Sequence, residues 1–93
     1  MCRNIRVLHH FAPPTTPEEI RAAALQYVRK VSGLNKPPQL DEAVFAAAID
    51  DVARATTRLL DSLSVRGEAR TREKEQERAR LRWSKRQARL IER

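Results

Sequence analysis

The chain has 93 residues, one cysteine, two glycines and a net charge of +7. That length allows one domain with a small core, a lone Cys2 excludes an internal disulfide, and no apolar run is long enough for a secretory leader or a membrane span, so a cytoplasmic address is expected. The charge is uneven: residues 1–65 hold eight Lys/Arg against seven Asp/Glu, whereas residues 66–93 hold eleven against five, so an acidic partner is expected at the C-terminal segment.

Residues 1–14 read as an arm. Ile5, Val7, Leu8 and Phe11 are its apolar residues, and Pro13-Pro14 stops any regular element there. The arm is expected to lay Ile5, Leu8 and Phe11 over a helical core, because a contiguous exposed set of such side chains is unfavourable. Cys2 with His9 and His10 matches no standard zinc spacing, and no metal or cofactor is expected. Removal of Met1 would leave Cys2 as a terminal nucleophile with its own amine as base, but a two-helix core offers little pocket for such chemistry.

Thr16-Pro17-Glu18-Glu19 is a helix start. Thr16 can cap, Pro17 fits the first helical position, and Glu19 completes a capping box. Ile20, Ala24, Tyr27 and Val31 then recur at spacings of four and three, Ala23 and Val28 flank them, and Gly33 supplies a left-handed stop. The predicted helix covers residues 17–32.

Pro37-Pro38 interrupts, and Asp41 is a candidate cap for a second helix over residues 41–64. Phe45, Ile49, Val52, Thr56, Leu59 and Leu63 form its seam, with Thr56 the one polar member. Two seams across a short connection predict an antiparallel helical hairpin. On this pattern Ile49 and Leu59 are both core residues. The second helix outruns the first, so its Leu59–Leu60–Leu63 end calls for a cover, which the arm, the tail or a second copy of the chain could supply. Asp50–Arg54 and Arg54–Arg58–Asp61 read as surface pairs, and Arg3 and Arg6 could pair with Glu18, Glu19 or the carboxylates of the second helix, or could extend the basic surface.

Gly67 ends the pattern. Residues 68–93 contain no glycine or proline and read as a charged helix, with Glu75–Arg78 and Glu77–Arg80 as three-apart pairs. On a helical projection Arg78, Arg82, Lys85, Arg86, Arg89 and Arg93 fall within about one third of the circumference. Ala79, Trp83 and Leu90 form an apolar strip beside that ridge. A basic ridge with an apolar edge suits a nucleic-acid backbone, an anionic membrane or an acidic protein groove. No paired catalytic carboxylates, Gly-rich phosphate loop or Ser-His-Asp set is present, so an enzyme is not expected.

The opening Met-Cys-Arg-Asn-Ile, the Phe-Ala-Pro-Pro-Thr at residues 11–15, the Gln-Tyr-Val-Arg-Lys-Val-Ser-Gly at 26–33, Phe45 and the Leu-Leu-Asp-Ser-Leu at 59–63 together resemble a small bacterial family, the domain of unknown function numbered 2277. The resemblance covers roughly residues 1–65, while Trp83 and the extra basic residues depart from its pattern. It implies a small cytoplasmic bacterial protein, brings no activity or cofactor, and draws attention to Cys2, Arg3 and Asn4 in the arm.

The expected fold is therefore all-α: a hairpin domain with an N-terminal arm over residues 1–65, and a basic helix or tail over 66–93. The expected function is a non-enzymatic binding module whose tail contacts nucleic acid or another polyanion through Arg78, Arg82, Lys85, Arg86, Arg89, Arg93 and Trp83. The alternative is a protein-interaction or homodimer module using the end of the second helix.

Overall fold

The computed structural model describes residues 5–92. Helix α1 runs Pro17–Ser32. Its capping box is complete: the Glu19 amide donates to Thr16 Oγ1 at 3.2 Å, and the Thr16 amide donates to Glu19 Oε1 at 3.0 Å. Glu18 and Glu19 meet the positive end of the helix dipole, and Arg29 and Lys30 the negative end. Gly33 closes the helix at φ 73°, with its amide donating to Arg29 O at 2.9 Å. An added Cβ at Gly33 would meet nothing within 4 Å, so the backbone angle rather than crowding favours glycine there.

A 3-10 turn at Gln39–Asp41 leads into helix α2, Glu42–Ser62. Asp41 stands at the cap position but makes no side-chain cap bond. The helix stops two residues before the expected end, because Leu63 turns extended while its amide still reaches Leu59 O at 3.1 Å. Thr56 sits in the seam with its polar atom satisfied, since its hydroxyl donates to Val52 O at 2.7 Å.

The core is small. Ile20, Ala24 and Val28 of α1 and Ile49 of α2 are buried. Leu25, Phe45, Ala48, Val52 and Ala53 pack partly buried around Ala24, Val28 and Ile49. The start of α1, at Pro17 and Ile20, lines a groove with the second half of α2, at Asp50 to Ser62, and the Arg21–Asp50 pair spans it at 2.6 Å. Asp50 thus pairs across the helices, and Arg54 pairs with Asp51 at 2.8 Å rather than with Asp50.

The buried row on α1 differs from the expected seam. It follows strict fours, as a ridge seated in the groove of a neighbouring helix does, so Val28 is inside and Tyr27 and Val31 are exposed. On α2 the outer end of the seam is also open, with Leu59 56% and Leu63 42% exposed. Sixteen residues of α1 span roughly 24 Å and twenty-one of α2 roughly 32 Å, so α1 runs out first. Leu59 is therefore a partly uncovered residue and not the core position its spacing suggested.

Helix α3, Arg72–Glu92, follows a short linker. Beyond its first residue, Arg72, which binds Glu19 of α1, it does not pack against α1 or α2. Among the described residues there is no strand, only a parallel bridge between Phe11 and Arg70.

Candidate functional site

The C-terminal helix begins in a cluster of polar bonds between the N-terminal arm and residues 67–72. Thr71 caps it: the Lys74 amide donates to Thr71 Oγ1 at 3.2 Å and the Glu75 amide to Thr71 O at 3.1 Å. The Arg70 amide donates to His10 O at 2.7 Å and the Ala12 amide to Arg70 O at 2.9 Å. His10 Nε2–H donates to Gly67 O at 3.0 Å, and the Arg70 guanidinium donates to His9 O. His10 (φ 61°) and Gly67 (φ 71°) adopt left-handed backbone at the two sides of this clasp.

Arg72 ties the clasp to the hairpin. Its Nε–H donates to Glu19 Oε2 at 3.1 Å and its Nη2–H to Glu19 Oε1 at 2.7 Å, a forked pair. Nη1–H also donates to Pro13 O at 2.8 Å, and the guanidinium lies 5.2 Å from the centre of the Phe11 ring. Five donors in a rigid plane let one arginine serve a carboxylate and backbone carbonyls together, which lysine could not do. The Arg72 hydrogen bonds hold the Glu19 carboxyl down from its ordinary 4.5 to about 2, with the Thr16 amide adding to the effect. Glu19 raises the Arg72 guanidinium in turn.

Neither Arg70 nor Arg72 stands out in the sequence. Glu19 already had a role as the capping acid, and Arg3 and Arg6 were nearer in the chain as its partners. The pair is separated by 53 positions, and no periodic pattern reports so distant a polar contact.

Beyond the clasp the charge changes character. Glu75 binds Arg78 at 3.3 Å and Glu77 binds Arg80 at 2.6 Å, as their spacing predicts. From Arg78 to Leu90 there are six basic residues and no acid. Among the described residues Arg82, Lys85, Arg86 and Arg89 make no ion pair. All four are exposed, and together with Arg78 they share one face of α3. Trp83, 51% exposed, and the exposed Leu90 lie along the edge of that face. Cys2, Arg3, Asn4 and Arg93, the remaining sequence candidates, lie outside the described residues.

His9 and His10 stand with ring centres 6.1 Å apart, and His9 Nε2 is buried without a partner. Among the described residues no three His, Cys, Asp or Glu side chains gather as a metal-binding group. Among the described residues no helix is long and apolar enough to cross a membrane.

No curated protein and no solved structure matches the chain. A family model does, and it spans the arm, both helices of the hairpin, the clasp and the first turns of α3. It ends at residue 78, where the acid-free stretch begins. With residues 1–78 matched, the chain belongs to the family described as an uncharacterized conserved protein, DUF2277.

Proposed function

We propose that this protein is a cytoplasmic, non-enzymatic binding module that offers α3 to a polyanion, with nucleic acid as the target class and phosphates rather than base edges as the contact. Residues 1–65 then serve as the scaffold and residues 66–93 as the working extension. The observation that carries the reading is the face of Arg78, Arg82, Lys85, Arg86 and Arg89, the last four of them exposed and free of ion pairs among the described residues. Like charges four apart oppose each other along a helix, so this face gains from an anion that neutralises it. Past Arg72 the helix also stands clear of α1 and α2, which leaves the face open to a long ligand.

A salt series on a short DNA duplex tests the reading. The logarithm of the affinity should fall linearly with the logarithm of salt, with a slope of about 0.9 for each phosphate neutralised. The fourfold substitution Arg82→Gln, Lys85→Gln, Arg86→Gln and Arg89→Gln should flatten that slope and weaken binding at low salt. Absence of binding at low salt, or binding untouched by the four changes, ends the proposal.

A second reading has its own observation. Leu59 and Leu63 remain 56% and 42% exposed on the seam of α2, and a second copy could cover them as a homodimer. Light scattering across concentrations checks this, and a monomer throughout removes it.

A further inference from the structure

The geometry of the basic face of α3 bears on which class of nucleic acid it fits. Its cations occupy about one third of the helix circumference and recur at nearly every turn, so they form a straight row with a rise of about 5.4 Å per turn. A helix lying in the major groove of a duplex meets phosphates on both flanks. Here the cations gather on one flank: of the six basic residues from Arg78 to Leu90, Arg80 alone stands on the opposite side of α3. Duplex phosphates follow a fixed helical path that leaves a straight row, whereas a single strand can bend its backbone to the row.

The second feature is Trp83, the only tryptophan in the chain. It lies three positions before Arg86 and four after Ala79, at the edge of the cation row, and half of its surface is exposed. A paired, stacked base in a duplex offers an indole no face. An unpaired base does, and a cationic track beside an aromatic platform is the combination that holds single strands without regard to sequence.

We propose that α3 binds single-stranded nucleic acid, with Arg78, Arg82, Lys85, Arg86 and Arg89 following the phosphates and Trp83 stacking on a base. This rests on the polyanion reading above and narrows it to one class of ligand.

The test uses the full chain, with a thymidine oligonucleotide and a DNA duplex of equal phosphate number at one salt concentration. Affinity is read by anisotropy and the indole by its emission. The single strand should bind more tightly and quench Trp83, and the duplex should bind without quenching. Trp83→Ala should weaken single-strand binding by about 5- to 150-fold, the range that loss of one stacked base gives, and leave the duplex affinity unchanged. Trp83→Phe should recover part of the loss, with circular dichroism confirming equal helix content in both variants.

Duplex binding as tight as single-strand binding overturns the inference while leaving the polyanion reading intact. So does a Trp83→Ala loss that is equal for both ligands. A stronger response of Trp83 to phosphatidylserine–phosphatidylcholine vesicles than to either oligonucleotide would also overturn it, in favour of a lipid surface. Failure to bind any of the three at low salt overturns both the inference and the reading beneath it.

Discussion

The hairpin and the clasp hold the chain together by different physics. In the hairpin, Ile20, Ala24, Val28 and Ile49 leave water, and the ion pair that spans the helices is exposed and adds little. In the clasp almost nothing apolar is buried deeply. Arg72, Arg70, Glu19 and the arm carbonyls are joined by directional, partly charged hydrogen bonds, with Phe11 under the guanidinium. Apolar burial has no charge to be screened or titrated, whereas a part-exposed ion pair is weakened by both salt and acid. The hairpin therefore determines whether the protein folds, and the clasp determines where α3 departs from it.

The sharpest break in that contrast is Ile49→Ala. It removes the one buried side chain that α2 contributes and should cost roughly 2–5 kcal/mol. Small domains have only about 5–15 kcal/mol in total, so the melting temperature should drop steeply and the clasp should be lost along with its anchor on α1. A variant that melts with the parent would mean that the α1–α2 interface is not the core.

Arg72→Met should have a smaller effect of a different kind. The amides of Ala12 and Arg70, which donate to Arg70 O and His10 O, should lose their protection from hydrogen exchange. Those of Ala24, Val28 and Ile49 should keep theirs. Equal loss in both regions would show that hairpin and clasp open as one unit.

The same contrast governs what could be read in advance. The helix α1, its capping box and its glycine stop are local signals within a few residues of one another, so the sequence places them to the residue. Ile49 is likewise legible from periodicity. Periodicity cannot say how far a neighbouring helix extends, which is why Leu59 and Tyr27 share a pattern with core residues and yet stand exposed. The Arg72–Glu19 pair lies beyond such reasoning altogether, since its partners are joined only once the arm has folded back. The basic face on α3 is a pattern within one helix and needs only helical geometry to be seen. Its freedom from neighbouring carboxylates required the structure.

Acid should sharpen the clasp's side of the comparison. Glu19 sits at about 2 when folded against an ordinary 4.5. A depressed carboxyl favours folding above the ordinary value and loses that contribution as pH falls through the folded one. The stabilisation from the Arg72–Glu19 contact should therefore be complete above pH 4.5 and decline below it, with the contact itself opening as pH approaches about 2. Chemical shifts of Ala12 and Arg70 followed down in pH should move with that opening. Glu19→Gln should abolish this step, and a step that survives the substitution would assign it to another carboxyl.

Leu59→Ala is the smallest expected change, and its smallness is informative. By spacing alone Leu59 stands with Ile49, and its loss would then cost as much. At 56% exposure it has little apolar area left to lose, and a monomer should tolerate the change within about 0.5 kcal/mol. If a second copy covers the end of α2, the cost rises, and it rises with protein concentration, because stabilisation by association follows mass action. Melting Leu59→Ala and its parent at low and high concentration separates the two cases. A small, concentration-independent difference leaves α2 as scaffold alone, and the working surface then belongs to α3.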